Sequence, residues 1–165
     1  YTITGQLGEG GMGVVYLAED TTLGRKVALK FLPAWANSDE DAKRRFIHEA
    51  KTSSVLDHPN IATIHDVKTA DNGDLFIVMG YYDGRTIRDY LNEDGQLSIE
   101  DAIDFASQTA SGLDAAHEEG IIHRDIKPGN VIVTPKGRAV IWDFGLAQVE
   151  DATRTQDGTS MGTLA

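Results

Sequence analysis

Apolar residues alternate with polar and turn-forming ones over residues 1–33, the pattern of an antiparallel meander. Ile3 and Leu7 lead into a glycine-rich turn, Val14 to Leu17 form a β-rich run, and Val27 to Leu32 read as a third strand stopped by Pro33. A helix follows. Asn37 or Ser38 suits its cap, Asp39, Glu40 and Asp41 suit its positive end, and Ala42, Phe46, Glu49, Ala50 and Ser53 share one face. After His58-Pro59-Asn60, two further strands are predicted, Ile61 to Val67 and Leu75 to Met79, joined by the hairpin turn Asp71-Asn72-Gly73-Asp74. Gly80 to Gly84 has no regular period and reads as a connector.

The second part of the chain has a different rhythm. Ser98-x-x-Asp101 opens a long helix with Ile99, Ala102, Ile103, Ala106, Ala110 and Leu113 at helical spacing, closing near Gly120. Two short strands, Val131 to Thr134 and Ala139 to Asp143, flank a turn at Pro135-Lys136-Gly137. The last twenty or so residues are polar and rich in Gly and Thr, the composition of a loop. The order is a strand-rich part, a connector, and a helix-rich part. The chain starts at Tyr1 and stops in a loop-like stretch, so both ends are read as cuts in a longer protein.

Composition narrows the functions open to this frame. The chain has 165 residues and no cysteine, which removes disulfides, thiolate nucleophiles and thiolate metal sites. Lys and Arg number 15 against 26 Asp and Glu, a net charge of -11, which opposes non-specific nucleic-acid binding. No apolar run approaches a membrane span, and the start does not resemble a signal peptide, so no membrane contact is expected from this segment.

Three stretches carry candidate chemistry. Gly8-Glu9-Gly10-Gly11-Met12-Gly13 has the spacing G-x-G-x-x-G, which a flexible hairpin loop also satisfies. A β-rich run follows it, not a helix, so a dinucleotide-binding reading fails. A glycine-rich lid remains, with backbone N–H groups that can approach phosphate oxygens. Lys30 lies in an apolar strand on the face of Ala28 and Leu32. Its ammonium either snorkels to water or points inward, where it needs an anionic partner such as Glu49. His123-Arg124-Asp125-Ile126-Lys127-Pro128-Gly129-Asn130 is a charged turn between apolar segments. Asp125 has the type of a general base, Lys127 can neutralise charge on a transferring phosphoryl group, and Asn130 offers an oxygen to a hard cation. Asp143-Phe144-Gly145 follows thirteen residues after Asn130. Alone it is an ordinary turn; with Asn130 it makes a two-oxygen metal site.

Gly8, Gly10, Gly13 and Val15, then Val27-Ala28-Leu29-Lys30, Glu49, His123 to Asn130, and Asp143-Phe144-Gly145 form an ordered set. It resembles the eukaryotic-type protein kinases, most of all their bacterial serine/threonine members. The resemblance implies an α+β, two-lobe kinase fold, with 1–80 as N-lobe, 81–84 as hinge and 85–165 as an incomplete C-lobe ending in the activation segment. By the same resemblance Asp125, Lys127 and Asn130 are catalytic, Asp125 receiving or orienting the substrate hydroxyl proton. Asn130 and Asp143 hold Mg²⁺ or Mn²⁺, and Lys30 holds the α- and β-phosphates of ATP and pairs with Glu49. Leu7, Gly8, Glu9, Gly10, Gly11, Met12, Gly13, Val14 and Val15 cover the nucleotide. Val15 and Ala28 cap the adenine, and the backbone of Gly80 and Tyr82 bonds its edge behind Met79. Gly80 stands where the family often has Glu.

Lys127-Pro128 is the serine/threonine form of the loop, so the implied partners are ATP and proteins with Ser or Thr acceptors, in the cytoplasm, with any membrane anchor outside this segment. Autophosphorylation, dimer-dependent in one version, is expected at Thr153, Thr155, Thr159 or Ser160, with Thr163 kept unmodified. The alternatives are a nucleotide-binding or scaffolding module without transfer activity, and a small-molecule phosphotransferase of related fold.

Overall fold

The computed structural model describes residues 1–10, 13–33 and 36–143. The meander forms as its alternation requires: β1 (Thr2–Gly10), β2 (Gly13–Asp20) and β3 (Arg25–Phe31) pair antiparallel in sequence order. After helix α1 (Glu40–Ser53), β4 (Ile64–Thr69) and β5 (Leu75–Gly80) complete a five-stranded sheet in the order β1-β2-β3-β5-β4. Its inner face packs on α1. Ala28, Leu32, Ile77 and Met79 of the sheet side meet Ala42, Phe46 and Ala50 of the helix in one buried cluster. Truncating a buried aromatic such as Phe46 to Ala ordinarily costs about 3–5 kcal/mol. On the outer face Phe31 stacks on Phe76 with ring centroids 5.0 Å apart.

Several boundaries differ from the sequence reading, among them the α1 cap and the start of β4; the last two strands also end earlier than expected, at Val133 and Ile141. Asp39 caps α1, accepting from the N–H groups of Asp41 (2.8 Å) and Ala42 (3.1 Å). Asn37 is drawn away from that role because its amide donates to Asp74 in the β4–β5 turn. The strand expected from Ile61 begins only at Ile64. Ile61 forms a parallel bridge with Ile141 instead, and the N–H of Ala62 donates to Ile141 O at 2.8 Å, so residues 60–62 tie the two halves together.

Past the connector, β6 (Arg85–Thr86), β7 (Val131–Val133) and β8 (Ala139–Ile141) make a small antiparallel sheet. Helix α2 (Ile87–Asp94) was not foreseen. It is secured by a capping box in which Thr86 and Asp89 bond each other's N–H groups. Helix α3 (Ile99–Glu118) starts at Ser98 as expected, but its buried face is Phe105, Gly112 and Ala116. Ile99 and Ile103, part of the expected apolar stripe, face outward. Gly112 favours the choice: a β-carbon there would come within 2.9 Å of Ile141 Cδ1 and 3.1 Å of Asn60 O, so glycine lets the helix approach β8 without displacing them. Among the described residues, no helix is long and apolar enough to cross a membrane.

Candidate active site

A cavity of about 570 Å³ opens between the two sheets. Leu7, Gly8, Glu9, Gly13 and Val15 of β1–β2 roof it, Tyr81 and Tyr82 of the connector form one side, and Ile132 of β7 forms part of the floor. Lys30, Lys127, Asn130, Trp142 and Asp143 reach it from the chemistry-bearing segments. Gly13 sits at φ +110°, where a β-carbon would come within 2.0 Å of Phe31 O, so the glycine is required where β2 enters the sheet.

Lys30 points inward with 2% of its surface exposed. The partner it finds is Asp143, whose carboxylate accepts from Nζ. Asp143 has φ +72°, a left-handed conformation costly for a residue with a β-carbon, as does Arg124 at φ +67°. That backbone turn is what aims Asp143 into the cavity. The expected pairing of Lys30 with Glu49 is therefore corrected. Both Glu49 carboxyl oxygens are shielded and, among the described residues, accept no hydrogen bond. Burial pushes the Glu49 carboxyl up to about 7, against the opposing pull of the Arg124, Lys30 and Arg45 charges.

The charged turn is organised around Asp125. Its carboxylate accepts from Lys127 Nζ at 2.6 Å and from Asn130 Nδ2 at 3.1 Å. Partial burial raises the Asp125 carboxyl, but the Lys127 and Asn130 hydrogen bonds and the Lys127 charge outweigh it and hold the group below its ordinary value. His123 is 1% exposed. Its Nδ1 accepts from the Asp125 N–H at 3.2 Å, which leaves Nε2, 3.2 Å from Trp142 O, to donate. Burial lowers its proton affinity, so a neutral imidazole struts the Asp125 turn against the strand end that carries Asp143. The N–H of Trp142 donates to Asn130 O at 2.8 Å, a second tie between the same segments.

Asn130 directs its amide nitrogen at Asp125 O and Oδ2, which leaves its oxygen to the cavity it shares with Asp143. One amide oxygen and one carboxylate are hard donors that fit Mg²⁺ when phosphate oxygens complete the set. Among the described residues no group of three or more His, Asp or Glu comes together in a way that could hold a metal ion.

Other expected residues divide. Ala28 and Met79 lie behind the cavity in the buried core, with Val15 packed on them. Val14, one position from Val15, points to the other side of the sheet, and neither it nor Glu49 lines the cavity. Gly80 lies in β5 with its N–H donating to Thr63 O at 2.9 Å. The Tyr82 ring occupies the space a side chain at 80 would take: a β-carbon there would meet it at 3.1–3.3 Å. The Tyr82 hydroxyl accepts from the Thr63 N–H at 3.2 Å. Gly11, Met12, Phe144, Gly145 and the threonines and serine at 153, 155, 159, 160 and 163 lie outside the described residues. Tyr81, Ile132 and Trp142 were missed by the sequence reading. Ile132 was legible in principle, since alternation in a three-residue strand puts it opposite the buried Val131 and Val133.

A two-sheet cleft with a glycine roof, a buried Lys–Asp pair and an Asp-Lys-Asn turn defines a protein kinase domain. A family model described as the protein kinase domain matches residues 1–164, and the chain belongs to that family. Among its relatives, the serine/threonine-protein kinase PknA of Mycobacterium tuberculosis is 41% identical over 99% of this chain and 39% of its own length. The serine/threonine-protein kinase PrkC of Bacillus subtilis is 39% identical over 99% of this chain and 25% of its own. The crystal structure of the Mycobacterium tuberculosis PknI kinase domain superposes with a TM-score of 0.74 at 36% identity, covering 89% of this chain and 59% of that one. The chain thus spans about two-fifths or less of the length of these curated relatives.

Proposed function

We propose that this chain is the nucleotide-binding and catalytic part of a cytoplasmic serine/threonine protein kinase, with 1–80 as N-lobe, 81–84 as hinge and 85–165 as the start of the C-lobe. The observation that carries this reading is the convergence of Lys30, Asn130, Asp143 and Lys127 at one end of a glycine-roofed cavity, with Asp125 hydrogen-bonded to two of them. ATP lies with its adenine between Val15 and Ile132, its edge on the backbone of Gly80 and Tyr82. Backbone N–H groups of the glycine-rich roof face its phosphates. Lys30 holds the phosphates once they enter, and Asn130 and Asp143 hold Mg²⁺, which when bound offsets the phosphate charge.

Asp125, kept ionised by Lys127 and Asn130, orients a Ser or Thr hydroxyl and accepts its proton. The hydroxyl oxygen bonds to the γ-phosphorus as the bond to the ADP oxygen breaks, and Lys127 stabilises the charge that develops. The serine/threonine-protein kinase relatives support protein acceptors over small alcohols. The test uses the protein that carries this chain: Mg²⁺-dependent transfer from ATP to Ser/Thr peptides, with Asp125→Ala as the comparison. Loss of the base is expected to slow transfer by about 10²–10⁴-fold. Equal rates in the two proteins overturn the assignment, and no transfer by the wild type selects the scaffolding alternative.

A further inference from the structure

Arg88 is a cation that no described ion pair or hydrogen bond holds in place. It is exposed, at the second position of α2, and lines the mouth of the cavity that holds Lys30, Asn130 and Asp143. Its guanidinium lies against the backbone of Gly129 in the catalytic turn, where a β-carbon would meet Nε at 3.4 Å and Cζ at 3.5 Å. The absence of a side chain at 129 leaves that face of the guanidinium on the catalytic turn itself.

Neighbouring charges are committed elsewhere. Lys30 is held by Asp143, Lys127 by Asp125, and Arg85 by Glu93 and Asp94. Asp89, the carboxylate next in sequence to Arg88, feels the Arg88 charge, but its hydrogen bonds come from the N–H and hydroxyl of Thr86. Among the described residues Arg88 has neither an ion pair nor a hydrogen bond. The first turn of a helix is also the wrong end for a cation, because it meets the positive pole of the helix dipole. Neither the helix nor an ion pair accounts for an arginine here, and a guanidinium fork matches carboxylates and phosphates.

We propose that Arg88 is a specificity-determining residue: it receives an anionic side chain flanking the phosphoacceptor Ser or Thr, so this domain selects acidic or phosphate-primed substrate sequences. The inference rests on the proposed function and adds the class of substrate. The geometry suits it, because Arg88 and Lys127 border one cavity, so an extended peptide whose hydroxyl reaches Asp125 passes Arg88 within a few residues. The guanidinium acts on peptide choice, not on the transfer step.

The experiment measures kcat/KM of the protein that carries this chain on four peptides built around one serine, with flanks of Glu, Ala, Lys or phosphothreonine. Wild type is expected to favour the Glu or the phosphothreonine peptide over the Ala peptide by about 3- to 10-fold, less at high salt. Which of the two gains identifies the carboxylate or the phosphate as the anion. Arg88→Glu should reverse the order of the Glu and Lys peptides. Arg88→Gln, which keeps the length and loses the charge, should make them equal and covers the case that the reversal does not fold. The same order of peptides in wild type and variants overturns the inference while leaving the kinase reading intact. So does a changed KM for ATP with unchanged peptide preference, which makes Arg88 a nucleotide contact. No transfer to any peptide by wild type overturns the proposed function, and this inference with it.

Discussion

Replacing Glu49 by glutamine removes a proton-binding group from the inner side of α1 while keeping its shape. Both Glu49 oxygens are shielded and, among the described residues, accept no hydrogen bond, so the charged form loses hydration that no described hydrogen bond replaces. Burial raises the carboxyl from an ordinary 4.5 to about 7, with Arg124, Lys30 and Arg45 pulling down and Asp143 pushing up. Below 4.5 the folded and unfolded chains both carry the proton, and the full stability is present. As pH rises towards 7 the unfolded chain releases the proton and the folded chain keeps it, so stability falls. Above that value both states are ionised and the slope ends. The interval caps the loss at about 3 kcal/mol. The residue as a whole is only partly buried, and screening reduces the expected loss to about 1–2 kcal/mol. Urea unfolding of the protein that carries this chain, at half-unit steps from about pH 4 to 8, reads it directly. The Glu49→Gln variant should match wild type at the acid end and exceed it by about 1–2 kcal/mol at pH 8. Every other titrating group is common to both proteins, so the difference isolates this carboxyl. Parallel curves, or a gap that widens towards acid, refute the reasoning.

Lys30→Met should lower phosphoryl transfer by about 10²-fold or more, and also stability, because it leaves the Asp143 carboxylate without its partner; near-normal turnover in a peptide assay contradicts the role given to Lys30. Gly84→Ala should cost about 1–3 kcal/mol in chemical unfolding, since its β-carbon would come within 2.2 Å of the Val133 carbonyl oxygen, which is backbone and cannot swing away; an unchanged midpoint argues against the close approach of the connector to β7. Tyr82→Phe should cost up to about 1 kcal/mol through the bond from the Thr63 N–H, which is partly open to water. Gly80→Glu should cost more in wild type than in Tyr82→Ala, because the Tyr82 ring fills the space over Gly80; a double-mutant cycle with no coupling removes that explanation.

The meander, the α1 face and the Ser98 cap were legible because they depend on neighbours a few residues apart. Strand alternation has a period of two, helix burial a period near four, and a cap bonds an N–H two or three residues on. The glycine-rich turn, Lys30, the Asp125 turn and Asp143 were legible too, since chemistry of that kind restricts residue type at each place. Partner choice was not. Lys30 had two carboxylates open to it, and the left-handed turn at Asp143, 113 residues away in sequence, decided between them. α2 escaped notice because it is eight residues long with no buried position, and its Thr86–Asp89 capping box was its main signal. The inward face of α3 was favoured by Gly112, whose missing side chain lets Ile141 and Asn60 come close, while Ile99 and Ile103 kept the better helical spacing and stayed outside. Local sequence sets which elements form, because hydrogen bonds and caps act over single turns. Which faces meet, and which charge finds which, depends on close approach between distant segments, and there a missing β-carbon or a single backbone angle outweighs hydrophobic periodicity.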